Sequence, residues 1–195
     1  MNGDENRLDQ TENQYREALE SCRRIFLDKT RDYGTAWRVL RPISIADQIF
    51  IKARRIRNIQ ELPSRRVAET PAEELRAIVN YGIIALIQGS LDPEDQLDLK
   101  PEQALSMYDA AAAGIQRLMK DKNHDYGEAW REMSQQSFVD LVLMKLVRIR
   151  QILANGGKTI ASEGISSNFE DIVNYALFAL IRLQESGPRP QATSR

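Results

Sequence analysis

The stretches KTRDYGTAWR at Lys29–Arg38 and KNHDYGEAWR at Lys122–Arg131 are nearly the same string, and their spacing decides the fold. Sliding the chain by 93 positions (122 − 29) lays Tyr15 on Tyr108, Lys29 on Lys122, DYGxAWR on itself, Ser44 on Ser137 and Asp47 on Asp140. The register continues with Lys52, Arg55, Ile56 and Arg57 on Lys145, Arg148, Ile149 and Arg150. After a one-residue insertion, Glu69 falls on Glu163, and IVNY at Ile78 falls on IVNY at Ile172. This period is too long for a solenoid unit, so it predicts two copies of one small module, arranged as a pseudo-twofold single-chain dimer.

Each copy reads as three helices. In the first, YREALESCRRIFLDK carries apolar positions at helical spacing, and SIADQIFIKARRIRNIQE begins at a serine cap. TPAEELRAIVNYGIIALIQ opens with Thr70 as cap, Pro71 in the first turn and Glu73 placed to close a capping box. The second copy repeats the plan from Pro101, and strand alternation is nowhere convincing. The expected fold class is therefore all-α: two tandem, pseudo-twofold-related three-helix modules packed as a helical bundle. The expected boundaries are a flexible tail over 1–14, repeat 1 over 15–88, a linker and the start of the next helix over 89–107, repeat 2 over 108–183, and a disordered tail over 184–195.

The bulk composition restricts function. Of 195 residues, 27 are Lys or Arg and 28 Asp or Glu, so the molecule lacks the basic excess of a protein held on nucleic acid by phosphate contacts. Any anion site must be local, and a nucleic-acid role resting on RRIR at Arg54 and SRR at Ser64 ranks last. The single cysteine, Cys22, excludes an intramolecular disulfide, and the polar start has no apolar run of the kind a secretory signal needs. These features predict a cytoplasmic protein. The most apolar helix candidate, from Ile172, is too short to span a bilayer and contains Asn174.

Within DYGxAWR, Gly34 and Gly127 fit a left-handed helix stop, and Trp37 and Trp130 fit core plugs. Asp32 and Asp125 fit less easily, because a carboxylate in the last turn of a helix opposes its macrodipole. A metal, a ligand donor or a salt bridge to Lys29 or Arg38 would compensate. On the second helix, at about 100° per residue, Lys52 projects into the apolar arc with Arg55 and Asp47 on one flank, and Lys145, Arg148 and Asp140 repeat the arrangement. A buried ammonium without a partner costs several kcal/mol, so these lysines must meet carboxylates, reach water or face a cavity. Glu69 and Glu163, standing just before the third helices, are the candidate carboxylates. Asn80 and Asn174 lie in helices that are apolar nearly all round and need partners.

Other signals lead nowhere. GGKT at Gly156 ends like a phosphate-binding loop but lacks the earlier glycine and follows a helix. His124 faces Arg31, Cys22 faces Ile115, and the Glu17/Glu20 pair faces Ala110 and Ala113, so none of them belongs to chemistry shared by both copies.

KxxDYGxAWR, S-x-x-D-x-x-x-x-K-x-x-R-I-R and E-x10-N-Y, each present twice, resemble the nucleotide-modification-associated helical domain family. The resemblance covers nearly all of the chain outside the tails and linker. It implies an all-α domain tied to nucleotide metabolism or modification, with no established reaction. A weaker similarity is to the all-α nucleoside triphosphate pyrophosphohydrolases, whose ExxE and ExxD carboxylates hold magnesium. Here Glu73 and Glu74 stand in one copy and Asp171 in the other, with Ala77 facing Asp171 and Ser167 facing Glu73, so neither copy carries the full acidic set.

The expectation is a protein that binds, and in one version hydrolyses, a nucleotide or nucleotide-like phosphorylated molecule. Lys52, Arg55, Lys145 and Arg148, flanked by Asp47 and Asp140, would hold phosphate. Asp32, Asp125, Glu69 and Glu163 would hold Mg2+ or sugar and base groups, and Tyr33, Tyr126, Trp37 and Trp130 offer stacking faces. If the protein is an enzyme, metal-dependent phosphohydrolysis is the expected class. The alternative is a non-catalytic helical interaction module whose matched charges are internal ion pairs. A second copy of the chain is a candidate partner in either case.

Overall fold

The computed structural model describes residues 2–61, 70–92, 97–161 and 163–186, with side chains from residue 10 onward. Six helices follow one another: α1 (Asn2–Tyr33), α2 (Pro42–Glu61), α3 (Pro71–Ser90), α4 (Pro101–Tyr126), α5 (Gln135–Ala154) and α6 (Ile165–Ser186). Short 3-10 turns, Ala36–Val39 and Ala129–Glu132, follow α1 and α4. Among the described residues there is no strand.

Local chemistry sets the helix ends. Gly34 (φ +66°) and Gly127 (φ +61°) adopt the left-handed stop, their N–H groups bonding to Thr30 O and Asn123 O. Thr70 caps α3 in a capping box: the Glu73 carboxylate accepts from Thr70 N at 2.6 Å, and the Thr70 hydroxyl accepts from Glu73 N at 3.3 Å. α6 presents buried residues on nearly every side from Asn168 to Ile181. It is therefore a central helix, packed most extensively against α3. α2 packs on α3 and α5 on α6, α2 meets α5, and α1 and α4 each lie against α3, α6 and one another. At the α3–α6 crossing a methyl group on Gly82 would come within 2.5 Å of a Val173 methyl, so the close approach requires glycine there.

Pseudo-twofold symmetry is visible in the exchanged contacts. The Tyr15 hydroxyl, from the first copy, donates to Asn174 Oδ1 at 2.8 Å, and the Tyr108 hydroxyl, from the second, donates to Asn80 Oδ1 at 2.8 Å. Arg150 Nη2 lies 2.7 Å from Asp47, and its twin Arg57 lies 3.6 Å from Asp140. In an isologous interface residue i of one unit meets j of the other and j meets i, and both exchanges obey that rule. One continuous buried core runs through both copies. Burial pushes the Cys22 thiol up to about 12, as fits a packing residue without nucleophilic chemistry.

The segment expected to be a flexible N-terminal tail is the start of α1. Thr11 is buried there, its hydroxyl bonding to Glu128 and to Arg131, and Gln14 accepts from Arg131 Nη2 at 2.8 Å. Those partners lie in the other copy, which is why the helix pattern of the first copy alone did not reveal them. α6 extends through Ser186, past the expected end of repeat 2.

Candidate functional site

Lys145 is sequestered and Lys52 half-buried, and each meets an acid on the third helix of its own copy. Lys145, 6 % exposed, reaches Asp171 Oδ2 at 2.5 Å. Lys122 reaches the other oxygen of the same carboxylate, also at 2.5 Å. Burial works against the Asp171 charge, yet the two ammonium groups outweigh it and hold this carboxyl below the usual range. Burial likewise disfavours the Lys122 charge, and Asp171 reverses that, raising it above an ordinary lysine. In the first copy Lys52 lies 3.2 Å from Glu74 Oε2 and Arg55 lies 2.6 Å from Glu74 Oε1, with Glu74 buried on α3. Glu163 is exposed, and Glu69 lies outside the described residues.

Asp47 and Asp140 are committed to the cross-copy pairs with Arg150 and Arg57. Arg148, whose twin Arg55 pairs with Glu74, is exposed. Position 168, the twin of Glu74, is asparagine, which explains why Arg148 has no such carboxylate to turn to. Lys52 and Arg55 thus share the Glu74 cluster and Lys145 belongs to the Asp171 cluster, while Arg148 stands exposed outside both.

DYGxAWR divides in the same way. Trp37 and Trp130 are buried, and their indole N–H groups find no acceptor among the described residues. Arg38 is tied to the end of α3 through Gln88 Oε1 at 2.7 Å, and Arg131 lies over the Trp130 ring at 4.3 Å. Asp32, Tyr33, Asp125 and Tyr126 are exposed, with Asp125 beside His124 at 3.2 Å. Glycine, tryptophan and arginine form a clasp joining the first and third helices of each copy. Aspartate and tyrosine remain on its outer side.

A cavity of about 420 Å³ opens beside this clasp in the first copy, between α1 and α3. Lys29, Tyr33 and Trp37 line one wall, and Arg76, Asn80 and Tyr81 the other. Glu73, the acid of the lining, is held by the Thr70 cap, whose hydrogen bonds lower it from the ordinary glutamate range. Arg76 Nε donates to Ser21 Oγ at 3.2 Å, and no described carboxylate pairs with Lys29. Two cations, Lys29 and Arg76, and four aromatic rings, Phe26, Tyr33, Trp37 and Tyr81, therefore line one concavity, while the Asn80 amide is engaged by Cys22 O and the Tyr108 hydroxyl. Of the residues expected from sequence, only Tyr33 and Trp37 line it. Arg76 and Tyr81 were missed because the third helix was read for its acids and its buried amide, and nothing local marks which of its other residues face α1.

Among the described residues no three His, Cys, Asp or Glu side chains come together as a metal site. The acids of the third helices already serve cations, Glu74 with Lys52 and Arg55 and Asp171 with Lys122 and Lys145. No catalytic step is derived through a metal.

The model of one protein family, described as nucleotide modification associated domain 1, matches the chain twice, at residues 29–88 and 122–183. The chain belongs to this family. Each nucleotide modification associated domain begins at the lysine of the quoted string, Lys29 or Lys122, and ends within the third helix, so the family's segment contains most of the cavity wall in the first copy. Comparison with curated proteins and with solved structures finds no match. No helix among the described residues is long and apolar enough to cross a membrane.

Proposed function

We propose that the protein binds a nucleotide or nucleotide-like phosphorylated small molecule in the α1–α3 cavity of its first copy. The observation that carries this reading is the lining: Lys29 and Arg76 provide charge-assisted contacts to an anion, while Tyr33, Trp37 and Tyr81 offer ring faces. Membership of a nucleotide-modification-associated family supports the same ligand class. Among the described residues the carboxylate that lines the cavity, Glu73, is engaged in its helix cap, so the proposal is of binding alone. The interaction-module alternative accounts for Lys52, Lys145, Asp47 and Asp140, each paired with a protein charge, but it gives no role to Lys29 and Arg76 facing one concavity.

Thermal denaturation with and without millimolar nucleoside phosphates tests the proposal. Ligand at about 100 times its dissociation constant adds about 2.7 kcal/mol, a shift of several degrees for a chain of this size. Lys29→Ala and Arg76→Ala are each expected to weaken binding about 10- to 100-fold, the worth of one charged hydrogen bond. Neither should alter the melting temperature of the free protein by more than a degree or two. Parent-like binding by both variants would contradict the assignment.

A further inference from the structure

The two copies meet the same internal need at different positions. Each pairs a lysine of the second helix with a buried acid of the third. In the first copy that acid is Glu74, and position 77 is alanine. In the second, position 168, the twin of 74, is asparagine, and the acid stands at 171, the twin of 77. For the buried lysine either position serves. For the cavity they are opposites, because Ala77 is a wall residue and Asp171 carries a carboxylate to the same place, where it binds Lys122, the twin of Lys29.

A second exchange acts with the first. Ile84 lines the cavity, and its twin Phe178 lies flat on Trp130, with ring centroids 4.4 Å apart and planes within 7°. Trp130 is the twin of the wall residue Trp37. A third exchange places Glu170 where the first copy has Arg76. Burial and the neighbouring Asp171 charge both raise the Glu170 carboxyl, so this corner disfavours further negative charge.

We infer that the second copy is a site filled by its own side chains, and that the filling, a carboxylate on Lys122 and a ring on Trp130, is the internal counterpart of what the first copy takes from solution: an aromatic base joined to an anionic group, one molecule per chain. This rests on the proposed ligand class and narrows it. Asp171 and Phe178 are seven residues apart on α6, two turns or about 10 Å along the axis. Ala77 and Ile84 keep that spacing on α3, so the cavity sets an anion contact at one end and a ring contact at the other. A nucleoside phosphate presents both groups in one molecule, whereas inorganic phosphate satisfies only the first.

Calorimetric titration of the full chain with AMP, UMP, dCMP and inorganic phosphate tests the inference. At least one nucleotide is expected to bind with a stoichiometry of one per chain and more tightly than inorganic phosphate. Ala77→Asp, which reproduces the second copy's carboxylate beside Lys29, is expected to weaken that binding at least about tenfold. Ala77→Asn, similar in shape but uncharged, should weaken it less. Ile84→Phe should weaken the nucleotide and leave inorganic phosphate nearly unchanged, which keeps the test decisive if Ala77→Asp fails to fold. A stoichiometry of two, or parent-like nucleotide affinity in the folded Ala77→Asp and Ile84→Phe variants, overturns the inference while leaving nucleotide binding itself in place. Absence of binding by all three nucleotides overturns the nucleotide reading and this inference with it.

Discussion

Asp171→Ala is expected to lower the unfolding free energy by about 3–5 kcal/mol, a large fraction of the roughly 5–15 kcal/mol that holds a domain together. The reason is the burial of Lys145, whose ammonium would lose its carboxylate without reaching water. Lys122 is about half exposed and contributes less, because solvent can take over its solvation. Glu74→Ala is the informative comparison. Its partners Lys52 and Arg55 have side chains 30 % and 26 % exposed, so the loss there should be smaller, about 1–3 kcal/mol. Urea denaturation of both variants measures the difference, and equal losses would contradict the assignment of Lys145 as the more deeply committed cation. Acid should act in the same direction as the substitution. The Asp171 carboxyl is depressed in the folded state, so its contribution is fully present above the ordinary aspartate range near pH 4. It is lost as the pH falls through the lower folded value. Asp171→Ala should therefore lose less stability between neutral pH and pH 3 than the parent does.

Gly82→Val is expected to destabilise by about 1–3 kcal/mol, or more if α3 and α6 cannot separate locally. Its first side-chain atom would fall 2.5 Å from a Val173 methyl, and both residues belong to the contact between the two copies. Val173 is β-branched and buried, so it has little rotamer freedom with which to yield. Gly89→Ala is the control on the same helix, since nothing lies within 4 Å of the added methyl, and it should stabilise by up to about 1 kcal/mol through helix propensity. Equal melting temperatures for Gly82→Val and the parent would show that the crossing is looser than described.

These two sites also show what was legible in the sequence. The constant offset between matched residues disclosed the duplication, and the capping box at Thr70, the glycine stops and the inward lysines could each be read from periodicity and local chemistry. Long-range partners could not. Nothing local in α2 says that Lys52 meets Glu74, or that Asp47 faces Arg150 across the pseudo-twofold axis. Identity between the copies does not by itself separate packing from a site: Lys52 and Lys145 serve ion pairs with the third helix in both copies, whereas Lys29, Tyr33 and Trp37, equally matched, line the cavity of the first. The cavity is distinguished by positions where the copies differ: Arg76 against Glu170, Ala77 against Asp171 and Ile84 against Phe178. Ala77 opposite Asp171 was visible in the alignment of the halves, but its meaning required knowing that Lys29 stands across from it.

The chain has two tryptophans, Trp37 in the cavity wall and Trp130 beneath Phe178, and their indole N–H groups give two separate signals in a proton–nitrogen correlation spectrum, assigned with Trp37→Phe and Trp130→Phe. Titrating the parent with AMP, UMP and dCMP to millimolar concentration should, for at least one of them, shift the Trp37 indole signal progressively to saturation and leave the Trp130 signal in place. Movement of the Trp130 signal with Trp37 unchanged, or no movement of either with any of the three, would contradict a nucleotide site in the first copy.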